Sequence, residues 1–414
     1  MPDVSLEDAL NLFDPGQPLE NGQLDTYYVE RPHAPLEPLK RYLEARREPV
    51  KVLFSGHRGS GKSTELRRLA RDLAGRFFVV TASARSLNPA DLQYVDVIFA
   101  CAAALLREAT AEGKPVAVPD GLLKDVEQFL RSEIITEVST VAPKGGSVSA
   151  KFNAFIFSAE GKYGRETQTR TTVRERLFSH VSDLIDKVNA VCDAVREGTG
   201  RPPLLIFEDV DKTDLKTART LFFDHATTLT SLACHIIYTF PIPLCYSNEF
   251  TERMGDWDQR FLLPNVGAYH QDDTPDASGR DALRQVITKR VPESLFEQGA
   301  LDQIIELSGG LLRNLVRLVS DAALIALTEN APRITTAMVE QVAAEIGNDY
   351  RRLLLPEHYA ALREAHQTKQ ITPNETVRQL LENLSLLEYR NAVAWCDVHP
   401  VVQQLLTLPS SPVS

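Results

Sequence analysis

The string GHRGSGKST, Gly56 to Thr64, stands between the apolar run VKVLFS (Val50–Ser55) and the stretch STELRRLARDL (Ser63–Leu73). The second stretch puts Leu66, Leu69 and Leu73 on one helical face. A strand running into a glycine-rich turn and a helix leaving it is the opening unit of an open α/β sheet. Glycines at 56, 59 and 61 let the backbone curl so that its N–H groups point inward. The helix N-terminus then adds positive potential to the same spot. The loop residues Gly56, His57, Arg58, Gly59, Ser60, Gly61, Lys62, Ser63 and Thr64 are therefore read as a cradle for the phosphates of a nucleoside triphosphate. In that reading Lys62 reaches the outer phosphates and the Ser63 hydroxyl ligates Mg²⁺.

Hydrolysis needs carboxylates from a second strand. PLLIFEDVDK (Pro203–Lys212) supplies them, with four apolar residues followed by acids at the C-terminal end, where ligands collect in open sheets. Glu208 is expected in the Mg²⁺ shell and Asp209 is expected to polarise the attacking water, with Asp211 able to replace either. CHIIYTFP (Cys234–Pro241) predicts a further core strand, whose Thr239 would sense the γ-phosphate. RFFVVTASA (Arg76–Ala84) predicts another, followed by a helix from Asn88 to about Glu112.

Residues 113–172 break this rhythm and predict an insertion projecting from the core. Within it SVSAKFNAFIF (Ser147–Phe157) alternates, flanked by Gly145, Gly146 and Gly161, and predicts a strand or hairpin. The next helix lines up Val173, Leu177, Val181, Leu184, Val188, Val191 and Val195. Arg165, Arg170, Arg174 and Arg176 read as a solvated basic face. Residues 278–349 predict a run of helices, one starting at Thr335 or Thr336. Beyond about Arg351, a helix leads into two short strands about a turn at Arg390–Asn391.

Composition narrows the setting. A chain of 414 residues, 43% hydrophobic and 24% charged, is expected to hold two or three folding units. Its net charge of −11 argues against a protein whose main task is coating nucleic acid. The five cysteines (Cys101, Cys192, Cys234, Cys245, Cys396) form no CxxC pair and read as reduced thiols, with no metal or disulfide role. MPDVSLEDAL lacks the layout of a signal peptide, and VDVIFACAAALL is too short to span a bilayer, so the expected location is cytoplasmic with no membrane partner.

Over roughly residues 25–350 these motifs resemble the AAA+ ATPases, in the branch shared by origin-recognition ATPases and STAND-type signalling ATPases. Tyr28, Val29 and Arg31 resemble that family's adenine-side box, with Glu30 where Gly is usual. LSGGLLRNL (Leu307–Leu315) resembles its lid helix, in which a Gly-Gly-x-x-Arg element brings an arginine, here Arg313, onto the γ-phosphate. Glu208 stands where the family has Asp, which leaves open whether the chain turns over briskly or slowly.

The resemblance implies a P-loop NTPase parallel-sheet core at residues 46–275 behind an N-terminal segment 1–45. An all-helical lid at 276–349 and a winged-helix-like domain at 350–414 would follow. It implies an ATPase using ATP and Mg²⁺, with Lys62, Glu208, Asp209, Thr239 and Arg313 as its catalytic set. The expected role is a switch coupling nucleotide state to a partner protein or assembly, in bacterial defence or signalling. A homo-oligomer stays open, with Arg260 acting in trans. The alternative is a DNA-binding origin-recognition-like ATPase working through its winged helix. Residues 350–414 hold six Lys/Arg and six Asp/Glu, a balance that favours a protein contact there over DNA.

Overall fold

The apolar runs become a five-stranded parallel sheet in the computed structural model, which describes residues 5–111, 118–135, 147–391 and 393–406. Helices α1 (Leu6–Leu12), α2 (Asn21–Tyr27) and α3 (Leu36–Ala45) precede β1 (Lys51–Ser55). Helix α4 (Lys62–Leu73) then leads to β2 (Phe78–Ser83). Four long helices follow, α5 (Tyr94–Ala109), α6 (Asp120–Phe129), α7 (Val148–Arg165) and α8 (Thr167–Thr199). They precede β3 (Pro203–Glu208), the short α9 (Leu215–Arg219) and α10 (Ala226–Leu229), β4 (His235–Phe240), α11 (Asn248–Arg253) and β5 (Gln259–Leu262).

Strand order is β2-β3-β4-β1-β5. The chain leaves β1, crosses to the far edge at β2 and returns, so β4 separates the loop after β1 from the acids after β3. Both faces of the sheet are covered, which is why its strands are apolar without alternation. Val52, Phe54, Leu204, Ile206 and Ile237 pack on Leu39 and Leu43 of α3 and on Leu66, Leu69 and Leu73 of α4. Burying each of those leucines is worth roughly 1.5–3 kcal/mol. Leu53, Leu205, Phe207, Ile236 and Tyr238 face α5 to α8.

Three readings of the region after α5 are corrected. Ser147–Phe157 is not a strand or hairpin: it opens α7, with the Ser147 hydroxyl accepting from Ala150 N at 3.2 Å. Phe152, Phe155, Ile156, Ala159 and Tyr163 recur at helical spacing and are buried on one face. Nor does this part project. Helices α6 to α8 share one apolar cluster with α5 and the sheet. Gly145, Gly146 and residues 113–117 and 136–144 of the expected insertion lie outside the described residues. Arg170 and Arg174 are buried, not solvated. Arg174 Nε and Nη2 bond Asp96 at 2.8 and 2.5 Å, Nη1 reaches Asp91 at 2.5 Å, and Tyr163 OH also donates to Asp96.

Past β5 come α12 (Ala277–Thr288), α13 (Ala300–Leu307), α14 (Leu312–Thr328) and α15 (Thr336–Leu353), the last capped by the Thr335 hydroxyl. Then α16 (Pro356–Thr368) and α17 (Glu375–Glu382) lead to an antiparallel hairpin of β6 (Leu386–Arg390) and β7 (Ala394–Val398), followed by α18 (Pro400–Leu406). One apolar cluster runs through these helices and takes in Leu6, Ala9 and Phe13, so α1 packs with the helical part, against α14. No described helix is long and apolar enough to cross a membrane.

Asp96 has no solvent exposure, and removing it takes away the partner of Nε and Nη2 of the buried Arg174, leaving Asp91 on Nη1. Asp96→Ala should cost about 3–5 kcal/mol. It should therefore lower the thermal unfolding midpoint well below that of wild type; an unchanged midpoint would show that Asp96 and Arg174 do not depend on each other.

Candidate functional site

The loop after β1 turns at two glycines in the left-handed region, Gly59 (φ 84°) and Gly61 (φ 97°). A Cβ at Gly59 would sit 2.7 Å from Arg313 Cβ, and one at Gly61 would sit 2.9 Å from Leu312 Cδ1. The glycines are thus needed twice, for the turn and for the close approach of α14. Lys62 Nζ lies in a buried nest, 2.6 Å from Gly56 O, 2.8 Å from His57 O and 2.8 Å from Asp211 Oδ2. Burial alone would raise the Asp211 pKa, but Lys62 holds it below the ordinary carboxylate value.

The three acids after β3 have separate partners. Glu208 lies beside the Ser63 hydroxyl, and burial raises its pKa. Asp209 adopts φ 69°, unusual for a non-glycine residue. Its Oδ2 accepts from Ser83 Oγ at 2.6 Å and faces Arg85 Nε at 3.3 Å, while Oδ1 pairs with Lys212. Asp211 lies beside Thr239, whose Oγ1 accepts from Val210 N at 3.2 Å. Thr239 is buried behind the acids and does not line the cavity described below.

Gly309 (φ 60°) and Gly310 (φ 72°) turn the chain into α14; a Cβ on Gly310 would fall 1.8 Å from Val266 O. Arg313, in the first turn of α14, donates its backbone N–H to Gly59 O at 3.0 Å. Burial lowers its pKa, as does repulsion from Arg85 and Arg58, against the pull of Asp211 and Asp209.

On the other flank, Arg31 is buried and donates to Ser60 O and Pro264 O, acting as a strut under the loop. Tyr28 OH donates to Glu65 at 2.9 Å, Arg68 lies 4.2 Å above the Tyr28 ring, and Lys289 Nζ bonds Tyr28 O at 2.6 Å. A strap at residues 14–19 crosses α4, with Leu19 N donating to Thr64 Oγ1 at 3.3 Å and Arg67 Nη1 donating to Leu19 O at 2.8 Å.

These parts enclose one cavity of about 750 Å³. Gly59, Gly61, Lys62, Ser63, Thr64, Tyr28, Val29, Arg31, Glu208, Asp209, Asp211 and Arg313 all line it. At one end its walls are apolar (Leu12, Pro15, Val29, Leu283, Val286, Val316) and suit a planar base; at the other they are charged. Gly56, His57, Arg58 and Ser60 do not line it. Arg58 instead bonds Asp211 O at 3.0 Å and Thr213 O at 2.9 Å.

His57 points the other way. Its Nε2 accepts from Glu388 N in β6 at 2.8 Å, and burial, then Lys62, pushes its pKa down to about 3, so the ring is neutral with its proton on Nδ1. Asn265 Nδ2 bonds Glu388 O at 3.3 Å, and Tyr389 OH bonds Gly309 O at 2.8 Å. Strand β6 therefore touches both the phosphate-type loop and the turn into α14. Arg260, expected to act across an oligomer interface, is half-buried and faces Cys245, Glu388 and Tyr246 of its own chain, its guanidinium 5.2 Å above the Phe250 ring. The sequence gives no role to Ser83, Arg85, Lys212, Glu65 or the strap: Lys212 closes the PLLIFEDVDK run and Glu65 follows the glycine loop, yet neither position signals its contact.

Residues 34–235 match the profile of a family described as AAA ATPase domain, a span that includes the loop after β1 and the acids after β3. No curated protein matches the sequence. Among solved structures, the chain is similar to Drosophila ORC bound to DNA (11% identity, 98% of this chain and 92% of that chain, TM-score 0.41). It is also similar to the Aeropyrum pernix ORC1 protein in complex with DNA (13%, 96% and 95%, TM-score 0.39). The Thermotoga maritima RuvB Holliday junction branch migration motor is a third (14%, 79% and 71%, TM-score 0.32).

His57→Ala should leave the buried Glu388 N–H without an acceptor, at a cost of about 1–3 kcal/mol. Limited proteolysis should then cut residues 369–393 faster than in wild type; equal cleavage rates would show that the contact holds nothing in place.

Proposed function

We propose that the protein binds ATP with Mg²⁺ between its sheet core and the helices beginning at α12, and hydrolyses it as a slow STAND-type switch whose state passes to a partner protein or assembly. The supporting observation is the convergence of Lys62, Ser63, Glu208, Asp209, Asp211 and Arg313 on one cavity that also has an apolar end. Ser63 and Glu208, already side by side, form the hard oxygen donor set that suits Mg²⁺. The bound ion would neutralise charge on the terminal phosphates.

The chain's own residues do the rest. Lys62 exchanges the Gly56 and His57 carbonyls for phosphate oxygens. Asp209, oriented by Ser83, accepts a hydrogen bond from the attacking water and aims it at the γ-phosphorus. Arg313 supplies positive charge to the phosphate end. Because its backbone is tied to Gly59 O, movement of α14 and of the loop are linked. The β6 contact with His57 gives residues 350–406, read as a winged-helix-like module, a direct hold on the same loop. A switch taken from 1:99 to 99:1 needs about 5.5 kcal/mol of differential nucleotide affinity, which several charge-assisted hydrogen bonds can supply.

Lys62→Ala should abolish ATP binding in a fluorescent-nucleotide titration. Asp209→Ala should bind ATP yet lose phosphate release by about a hundredfold or more. Wild-type turnover by both purified variants would refute these assignments.

A further inference from the structure

Lys62, Arg85, Lys212 and Arg313 share the cavity wall with the carboxylates Glu208, Asp209 and Asp211, among other charged residues. The pairings are uneven. Lys62 is matched with Asp211, and Lys212 with Asp209. Among the described residues Arg313 makes no ion pair. Arg85 is the third donor on a carboxylate that Lys212 and Ser83 already satisfy, and its contact is the longest of the three, at 3.3 Å. Its side chain is 51% exposed, so the pair with Asp209 contributes little by itself. Arg85 could leave without stranding Asp209.

The turn that carries Arg85 is nevertheless fixed. It is a single 3₁₀ turn, Ala84–Ser86, capped by Ser83. One hydroxyl, Ser83 Oγ, accepts from Arg85 N at 3.1 Å and donates to Asp209 at 2.6 Å. Arg85 and Arg313 reach the cavity from opposite sides, β2 and α14, close enough to repel each other. Two guanidinium groups facing one space, with a surplus of positive charge, make a complement for an anion inserted between them.

We propose that Arg85 is a phosphate-reading residue: when a triphosphate enters, its guanidinium exchanges Asp209 for the terminal phosphate, which then lies between Arg85 and Arg313. This assignment rests on the ATP-binding reading and adds to it a cis arginine from the β2 turn. The exchange removes one of three donors from Asp209, which Ser83 and Lys212 continue to hold. ADP, lacking the terminal phosphate, has nothing to draw Arg85 away.

The test is equilibrium titration of wild type, Arg85→Ala and Arg85→Lys with Mg²⁺ and either ADP or a non-hydrolysable ATP analogue. Arg85→Ala should weaken the analogue about tenfold or more while ADP affinity changes less than twofold. Arg85→Lys should recover part of the loss. Unchanged ADP binding doubles as the check that the variant is folded. Equal weakening of both nucleotides, or of neither, overturns the assignment to Arg85 while leaving the ATP site standing. Wild-type protein that binds neither nucleotide overturns both readings together.

Discussion

The ion pair of Lys62 and Asp211, 2.8 Å apart and buried, is the contact on which the arrangement depends. It joins the helix after β1 to the turn after β3 across the intervening β4, and so makes two distant motifs into one site. A buried pair of this kind costs desolvation on both partners and is retained only with good geometry and further hydrogen bonds. Lys62 meets both conditions, since it also bonds two loop carbonyls, while Asp211 Oδ2 relies on Lys62. An ammonium held by carbonyls and a carboxylate, in a cavity rich in other cations, is placed to transfer to a stronger anion.

The loop itself is gripped from three sides. Arg31 braces it from the N-terminal side, α14 meets Gly59 and Gly61 too closely for any side chain, and β6 holds His57. The N-terminal segment adds a bridge of its own. Helix α1 packs with the helical cluster that contains α14, while residues 18 and 19 are tied to α4 by Arg67. A change at the phosphate end is thus felt by the helical part and by the C-terminal hairpin through direct contacts, without an extended relay.

Much of this was legible in the sequence where it depends on local order. The strand, glycine turn and helix around Lys62, the acids closing β3, and the Gly309–Gly310 turn ahead of Arg313 each announce themselves within about a dozen residues. Helix α7 did not. Its run of Val148, Ala150, Phe152, Ala154 and Ile156 fits a period of two, and only Phe155, Ala159 and Tyr163 further on betray the helical period. Buried Arg174 reads as a surface residue in the sequence because its partner Asp96 lies 78 positions away. His57 and Glu388 are 331 positions apart, and no pattern links them. Arg85 sits just past a strand in a segment with no motif, so only the fold reveals that it faces Asp209.

The most direct measurement is a crystal structure of the protein with Mg²⁺ and a non-hydrolysable ATP analogue. The account requires the triphosphate to lie along Gly59–Ser63, with Lys62 Nζ moved from the Gly56 and His57 carbonyls onto phosphate and the base in the apolar end near Val29 and Leu283. A nucleotide bound elsewhere, or one that leaves the Lys62 contacts to Gly56, His57 and Asp211 untouched, would contradict it.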